Sequence, residues 1–295
     1  MLGSMTADFL SRDPSFEVSS TVRDPAHARL MARRIPEVAW RVFRADGKGL
    51  RDLFLSAGSP DWVINAIGVI KPHIREDDPH SVENAIHINA LFPHRLAAAA
   101  KESGFRVIQI ATDCTYSGRD GNRVEDSPHD PTDVYGKTKS LGEVRSEGMH
   151  HVRCSIIGPE PKGHLSLLEW FRGRPEGAEV TGFVNHRWNG VTTFQFARIC
   201  GGIIREDIAL PHCQHLVPGD SVTKADVLAF FAAVFGREDI RILRGDAASV
   251  VDRTLATLRP DLSDALWKAA GYGRAPSVQE MIGELGEYPF RPGEI

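Results

Sequence analysis

Three residues near the middle of the chain form a set able to deliver a proton to an oxygen. Tyr135 and Lys139 stand four apart, the spacing that puts two side chains on one helix face. Thr112 directly follows Val107-Ile108-Gln109-Ile110-Ala111, an apolar, β-branched run of the length of one buried strand. In open α/β sheets, ligands bind beyond the carboxyl ends of strands, so these positions are placed to share a site. The chemistry that suits them is carbonyl reduction. A hydride added to a ketone carbon leaves charge on the oxygen, which needs a proton in the transition state. A tyrosine with a pKa of about 10 is a poor acid near neutrality, and a nearby ammonium lowers that value. Such tuning is expected of Lys139, while Thr112 is expected to hold the carbonyl oxygen by a hydrogen bond. A tyrosine and a lysine so spaced also arise by chance as a surface pair. The weight therefore falls on context: a strand ending in Thr112-Asp113 and the run Tyr135-Gly136-Lys137-Thr138-Lys139-Ser140-Leu141-Gly142-Glu143.

In that context the chain resembles a known family. Thr112-Asp113-Cys114-Thr115-Tyr116-Ser117-Gly118, together with Tyr135 to Glu143, is similar to the extended short-chain dehydrogenase/reductases. Within them it is most similar to dTDP-4-dehydrorhamnose reductase and related nucleotide-sugar reductases. Asp61 to Gly68 and Asn185 to Thr193 extend the likeness over nearly the whole chain. The resemblance implies an NADPH-dependent reductase of a 4-keto nucleotide sugar, of the kind that serves deoxysugar and cell-surface polysaccharide synthesis. Thr112, Tyr135 and Lys139 would be its catalytic residues. The implied partner is a nucleotide-sugar substrate, and a homodimer is compatible with it.

Two other functions stay open. One is a nucleotide-sugar epimerase or dehydratase with bound NAD. The resembled dehydratases carry Asp-Glu straight after the threonine as acid and base; here Asp113 is followed by Cys114, which removes one carboxylate. The other is a non-catalytic regulatory or binding subunit. The regulatory subunit of methionine adenosyltransferase, a relative of the reductases, shows that the fold can serve this way.

On the cofactor side, Arg23 ends the strand-like run Phe16 to Val22. An acidic residue there favours a ribose 2′-hydroxyl, whereas an arginine accommodates a 2′-phosphate, so NADPH is preferred and NAD is left open. By the same resemblance Asp46 faces the adenine, and Asn65-Ala66-Ile67 lets backbone come close to the cofactor. Asn89 falls where the family places a helical asparagine that supports the active site. On the substrate side, Asp113 lies beside the threonine, and Asn185, Arg187 and Trp188 combine amide, cation and aromatic ring in one expected loop. Arg187 would pair with a diphosphate and Trp188 would stack on a sugar or base, although Trp188 also reads as a core residue.

These residues need a scaffold, and the pattern along the chain supplies one. Strand-like and helix-like segments alternate from Phe16 to Ile157, then the alternation breaks down after Gly158-Pro159. Helices are expected at Met5–Leu10, Ala26–Arg34, Leu50–Ser56, Val82–Ser103 (one long helix) and from Tyr135. The expected fold is α/β: a Rossmann-like, doubly wound, mostly parallel sheet with a smaller C-terminal substrate-binding lobe. Residues 1–157 form the dinucleotide-binding part and 158–295 mainly the substrate lobe, interleaved with the sheet.

Composition narrows the class. Hydrophobic content of 42%, charged content of 25% and a formal net charge of −4 are those of a soluble globular chain, with no reason to expect nucleic-acid or membrane binding. No apolar run approaches a membrane span and no signal peptide is visible, so a cytoplasmic protein is expected. The four cysteines lack C-x-x-C spacing, which points to free thiols. No metal is expected: His212-Cys213-Gln214-His215 lacks a second pair of ligands and reads as a loop or strand surface.

The start of the chain carries a further expectation. In the resembled family the phosphate-binding turn reads G-x-x-G-x-x-G and often ends in Met-Leu-Gly, which makes Gly3 its third glycine. On that reading the first strand and two glycines lie upstream of Met1, through truncation or a late start assignment. The sheet would lack its first strand. The chain would then bind NADPH poorly and be less stable than one extended upstream by about ten residues.

Overall fold

The structure, a computed structural model, describes residues 1–45, 49–161 and 165–292. Helices and strands alternate through the first half: α1 (Leu2–Leu10), β1 (Ser19–Val22), α2 (Pro25–Arg34), β2 (Ala39–Val42), α3 (Leu50–Ser56), β3 (Trp62–Asn65), α4 (Pro79–Ala85), α5 (Phe92–Ser103), β4 (Arg106–Ala111), α6 (Val134–Leu141) and β5 (Met149–Arg153). Local chemistry marks the ends. Asp24 caps α2 by accepting from the His27 amide, with Pro25 at the first helical position. Gly104 closes α5 in the left-handed conformation at φ 78°.

β3, β4 and β5 are parallel neighbours, with Asn65 opposite Gln109 and Ile110 opposite Val152. Val107, Ile108 and Val152 are fully buried, as expected of strands covered on both faces. β1 and β2 form a separate parallel pair. Among the described residues no ladder joins β1 to β3, so the β1–β2 pair stands apart from the main sheet. Trp62, Val63 and Ile64 of β3 stay partly exposed beside this break.

The second half comprises β6 (Ile156–Ile157), α7 (Leu167–Arg172), β7 (Glu179–Phe183), β8 (His186–Trp188), β9 (Val191–Thr192), α8 (Thr193–Arg205), β10 (Cys213–His215), β11 (Val222–Thr223), α9 (Lys224–Val234), β12 (Arg241–Gly245), β13 (Val251–Arg253), α10 (Pro260–Ala269) and α11 (Val278–Glu287). β7 pairs with β12, β8 sits between β11 and β13, and β6 pairs with β9. β10 returns to the main sheet, parallel to β5, in the order β10-β5-β4-β3, and α8 packs on α1. One apolar core joins Leu2, Met5, Ile108 and Val152 to Trp188, Phe196, Phe231 and Trp267. Among the described residues, no helix is long and apolar enough to cross a membrane.

Several elements differ from expectation. The strand expected from Phe16 begins at Ser19. The long helix expected over Val82–Ser103 is broken by a π-helical turn, Ile86–Leu91. There α6 crosses so closely that a Cβ on Gly142 would sit 2.0 Å from the Asn89 carbonyl oxygen. The loop expected at Asn185–Gly190 contains β8, the centre of a three-stranded sheet. The His212 to His215 segment is a buried strand rather than a surface, with Cys213 8%, Gln214 1% and His215 0% exposed.

Candidate active site

β4 delivers Thr112 in an extended conformation, and Thr112 caps the short turn Asp113–Thr115. Its hydroxyl accepts from the Cys114 amide at 3.2 Å and donates to Asp113 Oδ1 at 3.1 Å. α6 starts at Asp133, whose carboxylate accepts from the Gly136 amide at 2.7 Å and from Lys71 at 2.6 Å. Tyr135 lies in the first turn of α6. The structure thus makes Thr112 and Tyr135 neighbours, with the Thr112 hydroxyl favouring the phenolate form of Tyr135.

The electrostatics depart from the simple expectation for the trio. Burial raises the Tyr135 phenol well above its ordinary value, and the neighbouring Cys114 adds to the rise; the Thr112 hydrogen bond opposes it. The Lys139 ammonium is not turned to the phenol but donates to the Ile110 carbonyl at 2.9 Å. Burial brings Lys139 down to about 8, with Glu143 opposing the shift. The lysine reaches back to the end of β4 while the phenol sits beside Thr112, so burial rather than Lys139 dominates the shift of the phenol. Burial and then Asp113 push the Cys114 thiol up to about 12, which disfavours its thiolate.

Two buried sets of polar groups hold this geometry. Asn89, in the π-helical turn, accepts from the Val69 amide at 2.8 Å and donates to the Val69 carbonyl at 2.9 Å and to Thr138 Oγ1 at 3.3 Å. It ties α6 to the loop after β3, the supporting role the resemblance implies. Arg153, 1% exposed, pairs with Glu143 just beyond α6 and donates to Tyr116 Oη at 2.8 Å and His215 Nε2 at 2.6 Å. It links the end of α6 to the turn that follows Thr112.

Of the expected cofactor residues, Gly3 and Asn65 to Ile67 meet at the end of β3. A Cβ on Gly3 would lie 3.5 Å from that of Ala66, so the first turn of α1 and the end of β3 are neighbours. α1 has no side-chain cap and no acidic residue in its first turn, which leaves its amides suited to a phosphate. Asn65 is 3% exposed and donates to Gln109 Oε1 at 2.6 Å while accepting from the Ile67 amide at 3.1 Å. Its side chain therefore fixes the strand end and leaves the backbone of Ala66 and Ile67 as the approach surface. Arg23 follows β1 and is exposed. Asp46 lies outside the described residues.

The expected substrate residues are not one group. Asp113 is 4% exposed and accepts from the Thr112 hydroxyl at 3.1 Å. Asn185 spends its amide on both backbone groups of Ala247, at 2.9 Å each. Arg187 and Trp188 are consecutive in β8 and point to opposite faces, so they do not line one cleft. Arg187 is exposed and bonds Ser221 Oγ, whereas Trp188 is 2% exposed in the core. A Cβ on Gly190 would lie 2.3 Å from the Trp188 ring, which leaves no room for a base to stack there. The sequence reading missed two cations near the site. Arg253 of β13 donates to the Tyr116 carbonyl, and Lys224 opens α9. The available signal for Lys224 was its place at the positive end of a helix, where a cation is disfavoured.

In its fold the chain is similar to nucleotide-sugar reductases and epimerases of known structure. Residues 18–157 match the family model described as the RmlD substrate binding domain. Among solved structures, a dTDP-4-dehydrorhamnose reductase from Clostridium acetobutylicum aligns with TM-score 0.66 at 18% identity, over 92% of this chain and 99% of that one. The same enzyme from Bacillus anthracis, in complex with NADP, gives 0.66 at 15% identity, over 85% and 90%. UDP-glucuronic acid 4-epimerase from Bacillus cereus, with a fluorinated UDP-sugar and NAD, gives 0.71 at 14% identity, over 98% and 95%. No curated protein sequence matches. By name these neighbours are reductases and an epimerase of nucleotide sugars, and what they share with this chain is the fold.

Proposed function

We propose that the chain is an NADPH-dependent reductase of a 4-keto nucleotide sugar. The observation that carries this reading is the placement of Thr112 at the end of β4 beside Tyr135 in the first turn of α6, with a cysteine rather than a second carboxylate in position 114. Tyr135 is the proton donor to the ketone oxygen, and Thr112 orients that oxygen. Gly3, Ala66, Ile67 and Arg23 hold the cofactor, which supplies the hydride when bound. Lys139 anchors the end of β4 and adds positive charge under the site. Mixing the protein with NADPH and a panel of 4-keto dTDP- and UDP-sugars tests the reading through loss of reduced-nicotinamide absorbance. No oxidation with any of them rejects it. The epimerase neighbour favours one second reading, a 4-epimerase with retained NAD. NAD copurifying with the protein, and interconversion of UDP-sugars without net NADPH use, would establish that reading instead.

A further inference from the structure

The loop that leaves β3 reaches across to the first turn of α6. Asn89 fixes its start, bonding the Val69 amide at 2.8 Å and the Val69 carbonyl at 2.9 Å. Ser81 fixes its far end, where its hydroxyl accepts from the Arg75 amide at 2.9 Å. Between these anchors two side chains cross to α6. Lys71 donates to Asp133 Oδ2 at 2.6 Å, and Glu76 Oε1 accepts from the Val134 amide at 2.9 Å. Asp133 Oδ1 in turn accepts from the Gly136 amide at 2.7 Å. Tyr135 is thereby bracketed. The amide before it is held by Glu76, and the amide after it by the carboxylate that Lys71 holds. Both carboxylates sit at the amino end of α6, where the helix dipole favours negative charge.

Stability does not explain this arrangement. The Lys71 side chain is 64% exposed, and exposed ion pairs contribute about 1 kcal/mol or less. What the bonds fix is position. We propose that Lys71 and Glu76 are positioning residues: together they latch the first turn of α6 and so aim the Tyr135 phenol at the ketone oxygen. This rests on Tyr135 being the proton donor in the reading above. The latched loop begins at Ala66 and Ile67, the backbone offered to the cofactor, so it joins the hydride side of the site to the proton side. An error of about 1 Å in the reach of a catalytic group costs about 100-fold in rate. Neither Lys71 nor Glu76 is required to touch the substrate, because each acts through the backbone on one side of Tyr135.

Amide hydrogen exchange and steady-state kinetics of the full chain test this together. Glu76→Ala and Lys71→Met should each speed exchange in the segment 133–141 by about tenfold, the loss of about one charge-assisted hydrogen bond. The melting temperature should stay within about 3 °C of the unmodified chain. For NADPH oxidation by a 4-keto sugar nucleotide, kcat should fall about 10- to 100-fold while KM stays within about twofold. Lys71→Arg should restore most of kcat, because a guanidinium also donates to a carboxylate. Unchanged kcat, or unchanged exchange of the segment, overturns the latch. A raised KM with kcat kept would make the two residues substrate contacts, and a large fall in melting temperature would make them ordinary structural groups; either result overturns it as well. Failure of the reductase reading looks different: the unmodified chain oxidises no NADPH but interconverts UDP-sugars, and the same kcat comparison is then read on that reaction. An unmodified chain that does neither overturns the latch along with the reading.

Discussion

Gly136 lies so close to Cys114 that a Cβ on the glycine would sit 2.2 Å from the cysteine's carbonyl oxygen. The glycine beside Tyr135 therefore sets how near α6 comes to the turn that carries Thr112. Gly142, at the other end of α6, does the same against Asn89. The two glycines of the Tyr135 to Glu143 run are spacers that let one helix be clamped at both ends.

Gly136→Ala should push α6 off the turn and separate Tyr135 from Thr112. A displacement near 1 Å is expected to lower kcat about 100-fold. Stability should fall by about 1–3 kcal/mol from overpacking. Thermal melts and steady-state kinetics of the variant check both effects, and an alanine variant with unaltered kcat would show that the close approach is irrelevant to catalysis.

Tyr135→Phe removes the proton donor and little volume. Turnover should drop by about 100- to 10,000-fold with NADPH affinity nearly unchanged. A variant that keeps more than about a third of the rate would exclude Tyr135 as the essential acid.

Acid should destabilise the protein through its buried histidines. Burial holds His151 and His215 down at about 4, from an ordinary value of 6.5. His215 donates to the Ala256 carbonyl through Nδ1, and its Nε2 faces the Arg153 guanidinium, so it must be neutral in the fold. The unfolded chain takes up protons below 6.5, where the folded chain does not until about 4. Stability is then full above 6.5 and is lost as the pH falls toward 4, by on the order of a few kcal/mol for the two residues. Glu143 and Glu125, both held low in the fold, act in the same direction at lower pH. Denaturant melts across this range should show the decline, and His215→Gln should flatten it. A flat profile for the unmodified chain would contradict these assignments.

Arg23→Asp should turn cofactor preference from NADPH toward NADH. Loss of one charge-assisted contact to a 2′-phosphate is worth about tenfold in affinity, and the new carboxylate can accept from a 2′-hydroxyl. Fluorescence titration of both cofactors reads the ratio; an unmoved ratio would leave Arg23 an ordinary exposed residue.

The residues legible in the sequence were those whose chemistry and local pattern coincide. Tyr135 and Lys139 sit on a helix at the spacing read for them, and Thr112 ends a strand whose apolar run was plain. What stayed hidden depends on distant neighbours. β8 is three residues long and exists only because residues 222–223 and 251–253 flank it. The π-helical turn depends on Gly142, some fifty positions on. The direction of Lys139 depends on the Ile110 carbonyl, and the separation of Arg187 from Trp188 depends on whether that segment is loop or strand. Spacing identifies which residues share a face; it does not identify what lies opposite.

The interruption between β1 and β3 also divides the cooperativity of the molecule. β1, α2 and β2 enclose a small apolar cluster of their own, Val22, Met31, Ile35 and Val38, with Ala7 from α1. That unit is fastened to the remainder by side chains: Glu37 pairs with Arg291 at 2.9 Å, and Arg34 donates to the Pro292 carbonyl at 2.8 Å. Among the described residues no strand ladder crosses the gap, so the unit can open at a lower free energy than the whole chain unfolds. Arg23 rides on this unit and Tyr135 on the other side. A dinucleotide spanning the two would have to close that local opening, and its measured affinity would be reduced by the fraction of molecules found open.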